Sequence, residues 1–103
     1  RDFIHVSDIS KACYCAIDLL FQKPVHEIIN IGSGKGHTVL ELVSTFEEVI
    51  GQEINSKFMS RRSGDLSSSY TKIEKARKIL NWQPEYDCYD ACSSFWKWKQ
   101  SNL

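Results

Sequence analysis

Two adjacent arginines, a glycine and an aspartate fall within one short stretch, Arg61-Arg62-Ser63-Gly64-Asp65. Guanidinium groups carry forked donors that match phosphate oxygens in both geometry and charge. Gly64 permits a tight turn, and a carboxylate at Asp65 can accept two hydrogen bonds from a vicinal diol such as a ribose. A phosphate donor and a sugar acceptor at this spacing are what a nucleoside diphosphate needs. From these residues alone, a solvated loop with a surface ion pair is the commoner outcome.

A second stretch with chemical potential is the glycine loop Gly32-Ser33-Gly34-Lys35-Gly36. It follows an isoleucine-rich segment and precedes a helical pattern, the setting in which backbone amides bind phosphate. The dinucleotide pattern Gly-x-Gly-x-x-Gly fails at His37, and Gly34-Lys35 is followed by Gly36 where a P-loop needs Ser or Thr. A sharp turn into a capped helix is the better account of these glycines.

Catalytic apparatus is missing from the sequence. Tyr14, Tyr70, Tyr86 and Tyr89 are followed four places on by Asp18, Glu74, Asp90 and Ser93, so no Tyr-x-x-x-Lys base exists. No Gly-x-Ser-x-Gly elbow and no His-Glu-x-x-His helix occur. His5 reads as an ordinary strand histidine. The cysteines, Cys13-x-Cys15 and Cys88-x-x-x-Cys92, form no C-x-x-C pair, and His5, His26 and His37 are scattered. This spacing argues against structural zinc, and against a secreted disulfide scaffold; free, mostly buried thiols in a reducing cytoplasm are expected.

The elements that position these residues follow from periodicity. Residues 1–6 alternate and predict a strand, as do the stretches 27–31 and 54–60. Asp8 is the expected N-cap of a helix over about residues 9–22, whose apolar positions Ile9, Ala12, Cys13, Ala16, Ile17 and Leu20 recur at helical spacing. Pro24 closes it. Thr38 and Glu41 make a capping box for a helix through Ile50, with Gly51 as its C-terminal cap. A second box, Thr71 to Glu74, opens a basic helix to Leu80. Asp87 or Asp90 starts the last helix, which carries Phe95, Trp96 and Trp98. Trp82 and the last-helix tryptophans are expected to pack rather than react. These elements predict a single α+β unit over residues 1–103 with more helices than strands.

Composition sets outer bounds. The chain has 103 residues, 13 Lys+Arg against 13 Asp+Glu, and formal net charge +0. One small domain fits this length, with 42% hydrophobic residues enough for a core. A neutral balance speaks against nucleic acid and against an anionic membrane as partners. The apolar runs are too short to span a bilayer. With Arg1-Asp2 at the start and no apolar leader, the chain reads as a piece of a longer protein.

Four motifs in register, Arg1-Asp-Phe-Ile-His-Val-Ser-Asp8, Asn30-Ile-Gly-Ser-Gly34, Arg61-Arg-Ser-Gly-Asp65 and Leu80-Asn-Trp-Gln-Pro84, resemble the C-terminal part of UDP-glucose 4-epimerases. These are extended members of the short-chain dehydrogenase/reductase superfamily, and the likeness covers essentially the whole chain. The resemblance implies the UDP-sugar-binding portion of an α/β Rossmann-type enzyme, whose N-terminal NAD-binding domain and Tyr-x-x-x-Lys base lie outside these residues. The reaction it implies is inversion at C4 of UDP-glucose or UDP-galactose, by removal and return of a hydride. By motif match, Arg1 and Arg62 resemble the diphosphate-binding arginines, and Asp65 the group that holds the ribose hydroxyls. Ser69 stands where family members carry either a bulky Tyr or a small residue beside the sugar, which implies room for UDP-N-acetyl sugars. The resemblance further implies a cytoplasmic protein, a possible homodimer in full-length form, no cofactor held by this chain, and no catalysis by it alone. A stand-alone nucleotide-binding or regulatory module, the matching part of another sugar-nucleotide epimerase or dehydratase, and a structural remnant are the competing readings.

Overall fold

Where capping side chains and apolar spacing agree, the chain is helical. The computed structural model describes residues 1–103 and contains α1 (Val6–Gln22), α2 (Val39–Ile50), α3 (Glu74–Leu80) and α4 (Cys88–Ser101). No strand forms, which corrects the α+β expectation for this chain. The stretches 1–5, 27–31 and 54–60 carry no regular structure. A strand exists only through a ladder to a neighbour, and beyond the His5 carbonyl's bonds into α1 these stretches pair their backbone only at Arg1, with His37.

The start of α1 differs from expectation in an informative way. His5 is the N-cap, with the Ser7 amide donating to its Nδ1 at 3.0 Å. The His5 ring stacks on Tyr86 with centroids 4.4 Å apart. Asp8, expected as the cap, lies inside the first turn and is wholly buried. Its carboxylate instead accepts from the amides of Glu85 and Tyr86, at 3.0 and 3.1 Å, on the segment leading into α4. A buried carboxylate is tolerated when its oxygens are hydrogen-bonded, and each oxygen here accepts from one of these distant amides.

The inward stripe of α1 is also rotated from the expected one. Ala12, Cys15, Ala16 and Leu19 meet the core, while Ile9, Ile17 and Leu20 are exposed. Apolar residues occupy both faces of this helix, so spacing alone could not choose between them. The core joins Ala12 to Ile73, Ala76, Leu80 and Trp82, bringing α1 against α3. Lys75 of α3 holds the 27–28 stretch through the Ile28 carbonyl at 2.7 Å and the Glu27 carboxylate at 2.9 Å.

The second helix pair is α2 with α4. The Thr38–Glu41 capping box forms as expected, with Glu41 N to Thr38 Oγ1 at 3.0 Å and Thr38 N to Glu41 Oε2 at 2.7 Å. Gly51 ends α2 in the left-handed region at φ 74°. Asp87, rather than Asp90, caps α4, and Asp90 completes a reciprocal box. Phe95 meets Phe46 edge-on with ring centroids 5.8 Å apart, locking the two helices. The Thr71–Glu74 box does not form: Ile73 is the N-cap of α3, without a side-chain bond. The Thr71 amide is drawn away to Asp2.

Candidate functional site

The Arg61–Asp65 loop folds into a closed turn. Asp65 N donates to Arg62 O at 3.3 Å, and Arg62 Nε donates to the Asp65 carboxylate at 2.9 Å. Gly64 at φ 83° supplies the left-handed residue that closes it. The Arg62 side chain is 85% exposed, so this ion pair adds little stability and leaves the guanidinium able to swing toward an anion. From the other end of the chain, Arg1 Nη2 donates to Leu66 O at 2.6 Å. Arg1, Arg61, Arg62 and Asp65 thereby line one open cleft of about 1070 Å³, walled on the apolar side by Phe3 and Tyr70.

Ser69 sits apart from that group. It lines a neighbouring cavity of about 470 Å³ with Asn30, Gly32 and Thr71. Arg1 and Tyr70 border both spaces, so the two cavities meet there. Of the residues singled out by sequence, Arg1, Arg62 and Asp65 share one cleft and Ser69 lies on the adjoining one.

The glycine loop is occupied by the protein itself. Asp2 Oδ1 accepts from Ser33 N at 2.8 Å and from Ser33 Oγ at 2.6 Å, while Asp2 Oδ2 accepts from Gly34 N at 3.2 Å. Thr71 N adds a further bond to Oδ2 at 3.2 Å. Partial burial works to raise the Asp2 pKa, but the Ser33, Thr71 and Gly34 bonds together outweigh it and hold the group below its ordinary value of 3.8. The amides that would cradle a pyrophosphate are therefore turned onto a carboxylate, and this loop does not fit a dinucleotide.

Sequence reasoning missed Asp2. Its partners lie 31 and 69 positions away, so no local pattern announces it. Nor was the use of Gly32 foreseen as one of close approach: a Cβ there would meet Thr71 Cγ2 and sit 2.6 Å from Asp2 Oδ2. The thiols are less buried than expected, since only Cys92 is buried, Cys15 and Cys88 are half-buried and Cys13 is exposed. No three metal-ligating side chains converge.

Comparison with known proteins bears directly on this arrangement. No family profile matches the chain. The UDP-glucose 4-epimerase of Bacillus subtilis is 33% identical over 103 residues, which is 100% of this chain and 30% of the relative. The bifunctional UDP-glucose and UDP-xylose 4-epimerase of Arabidopsis thaliana is 38% identical over 104 residues, covering 99% of this chain and 30% of the relative. The crystal structure of a UDP-glucose 4-epimerase from Stenotrophomonas maltophila, with bound NAD and formylated UDP-arabinopyranose, superposes with a TM-score of 0.94 at 34% identity. That match covers 99% of this chain and 30% of the solved one. The chain is similar from end to end to the C-terminal part of UDP-glucose 4-epimerases.

A UDP-glucose 4-epimerase from Bifidobacterium longum, solved with NAD+ and UDP, gives a TM-score of 0.89 at 32% identity, covering 99% of this chain and 30% of the solved one. The chain spans about 30% of the length of the epimerases it matches. The helical architecture described above is thus that of the C-terminal part of such an epimerase. No helix here is long and apolar enough to cross a membrane.

Proposed function

We propose that residues 1–103 are the UDP-sugar-binding domain of an NAD-dependent UDP-sugar 4-epimerase of α/β Rossmann type. The observation that carries this reading is the convergence of Arg1, Arg62 and Asp65 on one cleft within a fold shared with UDP-glucose 4-epimerases. Arg1 and Arg62 donate to the diphosphate, where two guanidiniums balance its charge. Asp65 releases Arg62 and accepts from the ribose hydroxyls. Ser69, in the adjoining space, leaves room at the sugar C2 substituent and extends the substrates to UDP-N-acetyl sugars.

NAD belongs, in this reading, to the rest of the enzyme: the present glycine loop is closed by Asp2, and no residue here serves as the catalytic base. The domain therefore binds and orients but does not react by itself. We assign the full-length protein to the cytoplasm and to nucleotide-sugar metabolism, with a homodimer as the assembled form and no nucleic-acid or membrane partner.

The test is direct. The product of the complete reading frame is assayed for interconversion of UDP-glucose and UDP-galactose, and UDP is titrated into it and into its Arg62→Ala variant by calorimetry. Conversion by the wild type and an affinity about tenfold lower in the variant are expected. Absence of conversion, or equal UDP affinity in both proteins, rejects the assignment. Turnover of UDP-N-acetylglucosamine decides the Ser69 extension, which negligible activity would sink.

A further inference from the structure

The Asp2 carboxylate has two oxygens with about four lone-pair positions, and all are filled by its own chain. Ser33 N and Ser33 Oγ occupy one oxygen, and Gly34 N and Thr71 N occupy the other. The side chain therefore has no vacancy for a ligand. What it does have is position. It is covalently next to Arg1, and through Thr71 it fixes the strand of chain that has just carried Ser69 and Tyr70 past the smaller cavity.

The surrounding geometry reinforces the clamp. Arg1 pairs its backbone with His37 in both directions, Arg1 N to His37 O at 2.7 Å and His37 N to Arg1 O at 2.8 Å. Gly32 lets the loop approach so closely that a Cβ would collide with both Asp2 and Thr71. Three stretches far apart in sequence are thus held in one frame at the junction of the two cavities.

We propose that Asp2 is the positioning residue of this cleft, setting the distance between the Arg1 diphosphate donor and the Ser69–Tyr70 sugar wall. The inference rests on the UDP-sugar reading above. Binding at both ends of one ligand depends on that spacing, because a displaced donor loses its hydrogen bond while the cost of ordering the ligand remains. Replacement of Asp2 by asparagine keeps the shape but not the chemistry. In either amide orientation the NH2 group faces at least one backbone N–H, Ser33 N on one side or Gly34 N and Thr71 N on the other, so at least one bond of the clamp is lost.

A built-in control separates positioning from general stability. Asp8 is a second buried carboxylate that accepts from two backbone amides, yet it lines neither cavity. In the complete protein, Asp2→Asn and Asp8→Asn are both expected to lower Tm, each by about 1–4 °C. Only Asp2→Asn weakens UDP-glucose binding, by about tenfold. Ser33→Ala removes a single bond from the clamp and weakens binding about threefold, and it decides the matter if Asp2→Asn does not fold.

Wild-type affinity in Asp2→Asn, or in Ser33→Ala where the former is unfolded, overturns the inference while a weakened Arg62→Ala leaves the UDP-sugar reading standing. Equal weakening by Asp8→Asn also overturns it, since loss of stability alone then explains the effect. A wild-type protein that binds no UDP overturns the reading and this inference together.

Discussion

Trp82 Nε1 donates a 3.0 Å hydrogen bond to the backbone carbonyl of Asp8, across 74 positions of sequence. The indole is buried in the small core, and Asp8 returns the contact by accepting from the amides of Glu85 and Tyr86 just beyond Trp82. The first turn of α1 and the Asn81–Pro84 stretch are thereby held together by polar bonds inside an apolar setting.

Removing that ring should be expensive. Trp82→Ala is expected to destabilise the protein by about 3–5 kcal/mol through the cavity left by the ring, with the indole hydrogen bond lost as well. Trp82→Phe, which keeps most of the ring volume, should cost less than Trp82→Ala. Urea unfolding followed by far-UV circular dichroism measures both, and equal midpoints for the two variants would contradict the account.

Acid should find Asp2. Its pKa is held below 3.8 in the folded state, so it binds fewer protons folded than unfolded across that interval. The stability it contributes is complete above the ordinary carboxylate value and is lost as pH falls through the lowered one. The stability difference between wild type and Asp2→Asn is expected to be constant from pH 7 to about 5 and to shrink below about 4. Chemical denaturation across that range checks the sign, and a difference that grows on acidification would refute it.

Two glycines should respond differently to alanine. At Gly32 the added Cβ meets Thr71 and Asp2, so Gly32→Ala is expected to cost about 1–3 kcal/mol and to weaken UDP binding by disturbing the clamp. At Gly51 the space is open and only the left-handed backbone resists, so Gly51→Ala should cost about 1–2 kcal/mol with UDP affinity unchanged. Paired denaturation and calorimetry distinguish strain from collision.

The thiols should react in order of access. Burial, with the neighbouring Cys88 adding to it, pushes the Cys92 thiol up to about 12, whereas Cys13 is exposed. Titration with a chromogenic disulfide near pH 8 is expected to modify Cys13 rapidly and Cys92 only after unfolding. Prompt modification of Cys92 in the native protein would show that its burial is transient.

What the sequence disclosed was local. Thr38 with Glu41, Gly51 and the turn through Gly64 all act within a few positions of themselves and were legible, while the start of α4 was legible only as Asp87 or Asp90. Asp8 looked like a cap because Asp before an apolar helix usually is one; its real partners, Glu85 and Tyr86, are supplied by chain 77 and 78 positions away. Thr71 lost its expected box to Asp2 for the same reason. The predicted strands failed because alternation marks a segment that could pair, whereas pairing needs a neighbour. In the candidate site, Arg62 and Asp65 were visible as a short motif, while Asp2 was hidden by distance.

The division into α1 with α3 and α2 with α4 has a kinetic consequence. Helix packing runs chiefly within each pair, and the molecule extends 50 × 35 × 20 Å with few residues sealed from solvent. Amide protons in the two pairs should exchange with deuterium on separate clocks, each set by its own local opening. The Asp2 junction would then work as a coupling between two opening events, and loosening it would let either half breathe without notice to the other.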